Sequence, residues 1–319
     1  MPHDPPDFMP ETDHTPTSVI VNPNSAGGRT GQVWPRIRPI LEESVGPVEV
    51  LETNAVGHGT SLAADALRSG YRNFIAVGGD GTLNEVVNGL FADGRPDPGV
   101  VLGLIPQGTG SDFRRTAGLP LDPAAAVEII RNRHTRPLDI MRVNYREPGG
   151  TEATRFAVNV ASFGLGGATA LRANRSSKRF GGRFTYLTAL AWTTIGFRGD
   201  TVTLELDDET WPDVLVTNVA IGNGQFHGAG MRVCPHAIFD DGIFEVTVIE
   251  KLSLWNIVRN RSLLFNGKLY EHPKIHHRRT TSLVAQSVGQ SAVELDGEPL
   301  GYLPLKVTLI PQALNLIVP

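Results

Sequence analysis

Residues 78–82 read Gly-Gly-Asp-Gly-Thr and stand where an apolar run gives way to a helical pattern. Glycine lacks a Cβ atom, so this turn can bring backbone amides against a ligand. Amides at the start of a helix attract an anion, whereas the Asp80 carboxylate repels one unless a cation lies between them. The pattern therefore favours a nucleotide phosphate bound together with Mg2+.

Two further aspartates follow predicted strands in a similar way. Asp112 comes after the glycine-rich residues 106–110, and Asp139 comes after residues 136–138. Three carboxylates at neighbouring strand ends would repel one another unless a divalent cation neutralises them, and Mg2+ prefers oxygen ligands. We therefore expect Asp80, Asp112 and Asp139 to lie around Mg2+. Polar side chains that suit phosphate oxygens are Asn22, Thr53, Thr82 and Thr109.

The loops that carry these residues need a sheet that brings them together. Strand-like runs alternate with helical patterns in the first part of the chain, at 18–22, 31–43, 48–52, 58–70, 73–77, 82–91 and 100–105. Such alternation predicts a parallel sheet with helices on both faces, and ligands bind at the carboxyl ends of its strands. We assign residues 18–140 to this α/β nucleotide-binding domain.

The second part of the chain is mainly strand-like. The runs with strand character lie at 141–144, 155–160, 202–206, 215–221, 243–249, 291–295 and 305–310, and helical patterns lie at 183–195 and 253–265. This content predicts an antiparallel β-sandwich over residues 141–319. The glycines at 222, 224 and 228 are interpreted as a hairpin or bulge. Residues 1–17 are rich in proline and acidic side chains, and we predict a disordered tail that is not a signal peptide.

Composition limits the classes of function. The chain has 319 residues, 40% hydrophobic residues and a formal net charge of -4, so it is an ordinary globular sequence with no overall basic character that would favour nucleic acid. Cys234 is the single cysteine, which excludes an internal disulfide and fits a reducing cytoplasm. No run reaches the roughly 20 apolar residues that span a bilayer. We therefore expect a cytoplasmic protein whose contact with a membrane is peripheral.

Four motifs in order resemble the diacylglycerol kinase catalytic family, particularly its soluble bacterial lipid kinases. They are residues 21–28, 78–85, 106–112 and 295–298, and the resemblance runs from about residue 18 to the C-terminus. It implies a first domain similar to those of NAD kinases and phosphofructokinases, followed by a β-sandwich domain for the lipid. The implied reaction is ATP-dependent phosphorylation of a lipid hydroxyl, with diacylglycerol as first choice and phosphatidic acid as product.

The resemblance also implies which residues form the site. ATP would contact Asn22, Pro23, Asn24, Ser25, Ala26, Thr53, Gly79, Asp80, Gly81, Thr82, Leu83, Asn84, Glu85 and Thr109. Asp80, Asp112 and Asp139 match the aspartate and water network around the catalytic Mg2+. Glu298 matches the proton acceptor for the lipid hydroxyl, and Asp296 stands beside it as the alternative.

A second Mg2+ site is implied by residues 235–243, which resemble a structural loop of the family. There Asp241 would supply a carboxylate, and Ile238 and Ile243 would supply carbonyl oxygens. The chain departs from the family pattern at Ala26, where glycine is common, and at Ser111, where asparagine is common. Neither departure removes a carboxylate.

Partners are indicated by charge. One basic cluster comprises Arg172, Arg175, Lys178, Arg179 and Arg183, and another comprises Lys274, His276, His277, Arg278 and Arg279. Either cluster can face the surface of an anionic bilayer that holds the lipid substrate, or it is a solvated charged face. The three histidines at 272, 276 and 277 suggest a metal site less well. Strand edges of the sandwich allow a homodimer.

Two alternative functions stay open from the sequence. A kinase of NAD or of another soluble alcohol would share the first glycine turn. A nucleotide-binding or lipid-binding regulator that has lost catalysis is the other alternative, but the chain retains Asp80, Asp112, Asp139 and Glu298. Transfer of phosphate to lipid vesicles distinguishes these alternatives.

Overall fold

The computed structural model describes residues 16–108, 110–175, 182–207, 209–228 and 230–319, with the backbone alone for residues 175 and 182–185. The helices are α1 (Arg29–Val45), α2 (His58–Arg68), α3 (Asp80–Leu90), α4 (Asp112–Thr116), α5 (Pro123–Asn132), α6 (Leu165–Arg175), α7 (Gly182–Gly196), α8 (Leu254–Arg259) and α9 (Leu263–Asn266). The strands are β1 (Thr17–Val21), β2 (Val48–Glu52), β3 (Asn73–Gly78), β4 (Val101–Pro106), β5 (Thr135–Arg146), β6 (Glu152–Ala157), β7 (Val160–Gly164), β8 (Asp200–Leu206), β9 (Glu209–Gly222), β10 (Phe226–His227), β11 (Met231–Arg232), β12 (Phe244–Glu250), β13 (Ile275–Thr280), β14 (Ser282–Ser287), β15 (Ala292–Leu295) and β16 (Glu298–Ile317). β1 begins at Thr17, the last residue of the predicted tail, and residues 1–15 of that tail lie outside the described part.

The first domain is built on four neighbouring strands. Their order is β2, β1, β3 and β4, and each neighbouring pair is parallel. Helices α1 and α5 pack on one face through Trp34, Ile37 and Ala126, and α2 and α3 pack on the other through Ala63 and Val86. Because all four strands run the same way, the turns that follow them meet at one edge of the sheet.

The second domain is rich in β-strands, as predicted, and its strands form a closed circuit. The strands β9, β8, β14, β16, β15 and β7 pair in turn, and β7 pairs with β9 again. The circuit encloses a core that includes Phe163, Val219, Leu283 and Val307, all of which are fully buried. Strand closure removes exposed strand edges from this part of the sheet.

Strand β16 joins the two domains. Its first half belongs to the closed circuit, and near its end Asn315 and Leu316 pair in parallel with Val101 and Leu102 of β4. Leu314 and Leu316 are buried in the core of the first domain. The last residues of the chain therefore return to the first domain, which a division of the sequence at residue 140 does not capture.

Two other features bear on the predicted partners. No helix in the described part of the chain is both long and apolar enough to cross a bilayer. The sheet path ends at β2 on one side and at β13 on the other. A homodimer through such edges stays a prediction.

We expect Gly89→Ala to destabilise the first domain. A Cβ atom at this position would lie 2.3 Å from the carbonyl oxygen of Thr60 and 2.7 Å from Cβ of Ala63, where α3 crosses α2. Overpacking of this kind costs about 1–3 kcal/mol, which exceeds the gain of roughly 1 kcal/mol that alanine brings to a helix. Urea unfolding followed by circular dichroism measures the loss.

Gly149→Ala is the matched control, because its Cβ atom would meet nothing within 4 Å. Its unfolding free energy should stay close to that of the wild type. Equal midpoints for Gly89→Ala and Gly149→Ala would contradict the proposed close contact of α2 and α3.

Candidate active site

A cavity of about 440 Å3, called the cleft below, lies between the two domains. The first domain lines the cleft with Ser25, Ala26, Val56, Gly79, Asp80, Gly81, Gly108, Gly110, Ser111 and Asp112. The second domain lines it with Asn159, Ala170, Ala173, Asn174, Tyr186, His227, Gly228, Asp296, Gly297, Glu298 and Pro299. All four motifs from the sequence analysis, at 21–28, 78–85, 106–112 and 295–298, contribute residues to this lining.

The glycine turn after β3 is packed too tightly to accept side chains. A Cβ atom at Gly78 would lie 2.3 Å from Oγ1 of Thr82, and one at Gly108 would lie 2.4 Å from Cα of Gly79. The turns after β3 and β4 therefore touch through their backbones. Because the two turns touch, the side chains of Asp80 and Asp112 face each other across this contact.

The Asp80 carboxylate is held by the start of α4. Its Oδ2 atom accepts a hydrogen bond of 2.8 Å from the amide of Asp112, and its Oδ1 atom accepts one of 3.2 Å from the amide of Phe113. Burial is the largest influence on its pKa and raises it, and the charge of Asp112 raises it further, while the two amides lower it. Asp80 thus holds the start of α4, and its negative charge is costly without a cation.

Asp112 faces the same gap as Asp80. A Cβ atom built on Gly110 would lie 3.8 Å from Oδ2 of Asp80 and 3.9 Å from Oδ2 of Asp112. Asp112 is almost fully buried, and Nε of Arg115 lies 3.7 Å from its Oδ1 atom. Two carboxylates directed at one small gap form a set of hard oxygen donors that suits Mg2+.

Asp296 joins the two domains. Its Oδ2 atom accepts a hydrogen bond of 2.8 Å from the side-chain amide of Asn84 in α3. Its Oδ1 atom accepts bonds from the backbone amides of Asn159, at 3.2 Å, and Val160, at 2.9 Å. Burial raises the pKa of Asp296 to about 6, although the bonds from Val160 and Asn84 lower it and the charge of Asp80 raises it.

Glu298 stands on the far side of a tight turn from Asp296. The turn uses positive φ angles of 48° at Asp296 and 90° at Gly297, and the side chain of Glu298 is exposed. Its Oε1 atom lies 3.6 Å from the place where a Cβ atom of Gly81 would be. The late acidic motif and the early glycine turn therefore meet in the cleft, 217 positions apart in sequence (298 − 81).

The turn after β1 forms another wall of the cleft. Ala26, Gly27 and Gly28 have φ angles of 53°, 70° and 89°, so Ala26 adopts a left-handed conformation that glycine takes more easily. The side chain of Asn22 accepts a hydrogen bond of 3.1 Å from the amide of Asn24. The substitution of glycine by alanine at position 26 thus keeps the turn and strains it locally.

Several residues that were predicted to contact ATP make contacts within the protein, and their contacts with ATP stay a prediction. Both oxygens of Glu85 accept hydrogen bonds from the first amides of α2, at 2.8 Å from Gly57 and 2.9 Å from Gly59. Thr82 and Leu83 are buried beneath the turn. The residues of that prediction that do not line the cleft are Asn22, Pro23, Asn24, Thr53, Thr82, Leu83, Asn84 and Glu85, and Thr109 lies outside the described residues.

Asp139 does not line the cleft. Its Oδ1 atom accepts a hydrogen bond from the amide of Gln312 and its Oδ2 atom accepts one from Gly242, both at 2.7 Å. Burial is the largest influence on its pKa and raises it. Asp139 therefore ties β16 to the loop before β12, and its contribution to a catalytic Mg2+ network stays a prediction.

The predicted structural Mg2+ loop is also held by protein contacts. The Asp241 carboxylate forms an ion pair with Arg279 and accepts a hydrogen bond of 3.3 Å from the amide of Ile243. Ile238 is exposed in the same loop. A bound cation would have to share Asp241 with Arg279, and this site too stays a prediction.

A buried chain of polar side chains reaches the cleft from the second domain, and the sequence analysis missed it. Oε1 of Glu294 accepts a hydrogen bond of 2.5 Å from the hydroxyl of Ser162 and lies 3.2 Å from Nε2 of His227. The Tyr186 hydroxyl lies 3.4 Å from the same Nε2 atom. His227 lies in the glycine-rich segment that the sequence analysis interpreted as a hairpin or bulge. The one signal in the sequence that could have marked it is a polar histidine between an apolar residue and a glycine.

An apolar cavity of about 130 Å3 adjoins the cleft. Tyr186 and His227 line both spaces. The remaining wall is largely apolar and includes Leu190, Met231, Val233, Ile249, Leu252, Ile257, Leu264 and Leu269. A molecule with a polar head and an apolar chain fits such a pair of spaces, because each part meets a surface of its own polarity.

The two basic clusters differ in what the structure describes. In the second cluster Arg278 pairs with Glu209 at 2.8 Å, Arg279 pairs with Asp241, and His276 pairs with Glu250 at 2.8 Å. These three side chains already have acidic partners. In the first cluster Lys178 and Arg179 lie outside the described residues, as do the side chains of Arg175 and Arg183.

Comparison with known families matches both halves of the chain. The family description "Diacylglycerol kinase catalytic domain" matches residues 16–143. The description "YegS C-terminal NAD kinase beta sandwich-like domain" matches residues 159–318.

Curated relatives extend over nearly the whole chain. A diacylglycerol kinase of Staphylococcus epidermidis is 30% identical over 304 residues, which cover 94% of this chain and 91% of that protein. The diacylglycerol kinase of Staphylococcus saprophyticus is 29% identical over 304 residues and 94% of each chain. A protein of Xanthomonas campestris pv. campestris named "Probable lipid kinase YegS-like" is 29% identical over 291 residues, 88% of this chain and 91% of its own length.

Solved structures share the fold. A diacylglycerol kinase from Bacillus anthracis has a TM-score of 0.71 and 22% identity, with 96% of this chain and 97% of that chain covered. A yeast NADH kinase has a TM-score of 0.56 and 11% identity, with 97% and 84% covered. At these identities the likeness concerns the fold alone.

We expect the stability of the protein to depend on the ionisation of Asp296. Because folding raises the pKa of this carboxyl to about 6, the stability that its protonated form provides is complete below the unfolded pKa and is lost as the pH rises through about 6. The free energy of unfolding of the wild type should therefore fall relative to Asp296→Asn by on the order of 3 kcal/mol between about pH 4 and about pH 7. Urea unfolding across this pH range measures the difference.

Glu298→Gln is the control, because it removes a neighbouring carboxyl that is exposed. The difference in unfolding free energy between Glu298→Gln and the wild type should change little over the same pH range. A difference for Asp296→Asn that stays constant with pH would show that the pKa of Asp296 is not raised.

Proposed function

The chain belongs to the diacylglycerol kinase catalytic family of lipid kinases, and we propose that it transfers the γ-phosphoryl group of ATP to the free hydroxyl of diacylglycerol. One observation carries the proposal: Glu298 of the second domain and the glycine turn around Asp80 face the same cleft. A phosphate-binding turn and a carboxylate able to accept a proton are the two parts that phosphoryl transfer to an alcohol requires.

We assign the phosphate side of the cleft to the first domain. The backbone amides of the turn at Gly79 and Gly81 can contact phosphate oxygens closely because no side chain covers them. Asp80 and Asp112 would hold Mg2+, since both carboxylates are directed at the gap beside Gly110. When bound, this ion would neutralise the phosphate charge that otherwise opposes attack by the lipid hydroxyl.

We assign proton acceptance to Glu298 and a positioning role to Asp296. The oxygens of Asp296 are occupied by N–H donors from Asn84, Asn159 and Val160. Glu298 is exposed to the cleft and accepts no hydrogen bond that holds it in the described part of the chain. In the reaction the hydroxyl oxygen of the lipid forms a bond to the γ-phosphorus, the bond from that phosphorus to the β–γ bridging oxygen breaks, and the hydroxyl proton passes to Glu298.

The lipid side of the proposal rests on the apolar cavity. Tyr186 and His227 line both this cavity and the cleft. A lipid whose hydroxyl lies beside Glu298 can extend a chain past these two residues into the cavity. NAD has no apolar chain for this space, which favours a lipid acceptor over a soluble dinucleotide.

We propose that the helices over the apolar cavity dock on the bilayer. Trp192 in α7, Trp255 in α8 and Phe265 in α9 are 64%, 70% and 54% exposed. The same helices line the cavity with Leu190, Ile257 and Leu264. Exposed tryptophans suit the interface between water and lipid, so a chain could pass from the bilayer into the cavity without crossing water.

We expect Asp80→Asn to abolish phosphate transfer to lipid and to leave the protein folded. The asparagine side chain is close in size but lacks the charge that would hold Mg2+ beside Asp112.

Glu298→Gln should lower kcat by about 100-fold to 10,000-fold, the usual contribution of a general base. Radiolabelled ATP with vesicles of phosphatidylcholine and diacylglycerol, followed by mass detection of phosphatidic acid, measures both effects.

Asp65→Asn is the matched control, because the Asp65 side chain forms an exposed ion pair with Arg68 and does not line the cleft. Its activity should equal that of the wild type. Thermal melting of each variant separates loss of catalysis from loss of fold. Full activity of Asp80→Asn, or label on NAD and none on lipid in the wild type, would overturn the proposed function.

We expect the double variant Trp192→Ala and Trp255→Ala to bind vesicles about 100-fold to 1,000-fold more weakly, because each indole offers roughly 2 kcal/mol of apolar burial and a tenfold change in affinity corresponds to about 1.4 kcal/mol. The rate with a short-chain, water-soluble diacylglycerol should stay within about twofold of the wild type, since neither side chain lines the cleft. Vesicle sedimentation and initial rates measure the two quantities.

Val288→Ser provides the comparison, because Val288 is 92% exposed on the loop after β14. Its vesicle binding should match that of the wild type. Equal vesicle binding by the double variant would show that α7 and α8 do not dock on the membrane.

A further inference from the structure

Three side chains outside the cleft come together from segments far apart in sequence. They are His236, Glu245 and His277, and one nitrogen or oxygen atom of each lies within 4.8 Å of those of the other two. We propose that these three residues bind a divalent transition metal ion. Two imidazoles and one carboxylate form a ligand set typical of Zn2+.

The pairing of two strands places Glu245 and His277 side by side. In the antiparallel pair of β12 and β13, Thr247 stands opposite His277. Glu245 lies two residues before Thr247, so its side chain is on the same face and diagonal to His277. The backbone amide of His236 donates a hydrogen bond of 2.8 Å to Oε2 of Glu245, which holds the third residue over this pair.

The burial of Glu245 and its unpaired oxygen are the observations that point to a ligand. The residue is 1% exposed, and its Oε1 atom has no hydrogen-bond partner within the described residues. This atom lies 3.6 Å from Nδ1 of His236. A buried carboxylate oxygen without a donor is costly. A cation between Oε1 and the two imidazoles would supply the missing partner.

The two imidazole rings are already oriented by a tyrosine. The ring of His277 stacks on Tyr270 at 4.2 Å between centroids, and the ring of His236 meets Tyr270 at 5.2 Å and 68°. The Tyr270 hydroxyl is fixed by a hydrogen bond of 2.7 Å with Thr247. Such support around metal-binding histidines reduces the reorganisation that binding requires.

The remaining adjustment is small. Tetrahedral ligand atoms lie roughly 3.4 Å apart when each bond to Zn2+ is about 2.0–2.1 Å long. The ligand atoms of the three side chains must therefore approach one another by about an ångström. The His236 side chain is 59% exposed and can make this movement. Its exposure also leaves one side of the site open, where a water molecule can complete the coordination.

A metal ion at this position would fix the loop between β11 and β12. That loop also contacts Asp139, through the amide of Gly242 and the carbonyl oxygen of Phe239. The proposed site is distinct from the Mg2+ loop predicted at Ile238, Asp241 and Ile243, because it offers imidazole nitrogens that Mg2+ does not prefer.

Zinc titration of the full chain tests the proposal. The protein is first dialysed against a chelator, and Zn2+ alone is then added in competition with a chromophoric indicator. The wild type should bind one ion per chain. His236→Ala and His277→Ala should each weaken binding by at least about tenfold. Replacement of Zn2+ by Co2+ should give the visible absorption of a tetrahedral site in the wild type but not in His236→Ala or His277→Ala.

His276→Ala is the matched control, because His276 neighbours His277 on β13 but pairs with Glu250 at 2.8 Å. It should bind Zn2+ like the wild type. His236→Ala keeps the test decisive if a variant at the buried Glu245 fails to fold. Absence of Zn2+ binding by the wild type at micromolar concentrations, or an equal loss in His276→Ala, would overturn the proposal.

Lipid kinase activity with Mg2+ is measured in parallel. Because the site lies outside the cleft, His236→Ala should retain wild-type kcat. Loss of Zn2+ binding with retained activity supports a separate site. Retained Zn2+ binding by both His236→Ala and His277→Ala would show that other residues hold the ion.

Discussion

The hydrogen bond between Asn84 and Asp296 is the contact on which the arrangement of the cleft depends. Asn84 lies in the helix that begins at the glycine turn, and Asp296 lies in the turn that carries Glu298. The same carboxylate accepts bonds from backbone amides at the start of β7. One buried group therefore fixes both domains relative to each other. Donor and acceptor sides of a phosphoryl transfer need such a fixed separation, because misplacement by an ångström costs rate.

The second constraint is electrostatic. Asp80, Asp112, Glu294 and Asp296 lie in or beside one cleft, and the charge of Asp80 contributes to the raised pKa of Asp296. The protein offsets this repulsion with backbone amides, with His227 and, at Asp112, with Arg115. A cation and a polyphosphate bring complementary charges, so the cleft is stabilised by the ligands that it is proposed to bind.

The sequence predicted what depends on local pattern and missed what depends on packing. The glycine turns and their aspartates were found because strand ends and glycines mark them directly. Asn84 and Glu85 follow the turn in sequence, but the direction of their side chains is set by how α3 packs, and they contact the second domain and α2. Helix α6 was missed because Gly166 and Gly167 resemble a loop. A Cβ atom at Gly167 would lie 1.9 Å from the carbonyl oxygen of Ala292, so glycine is required for close packing.

His227 and Tyr186 show why the acceptor side was harder to predict than the phosphate side. Both residues stand at the boundary between the cleft and the apolar cavity, and neither belongs to a recognisable motif. Their proposed role follows from position alone, because both residues line the cleft that holds Glu298 and the apolar cavity beside it. The choice of lipid therefore depends on the distance from Glu298 to this boundary and on the shape of the cavity beyond it. Dispersed apolar residues such as Met231 and Leu264 determine that shape, and in sequence they are indistinguishable from ordinary core.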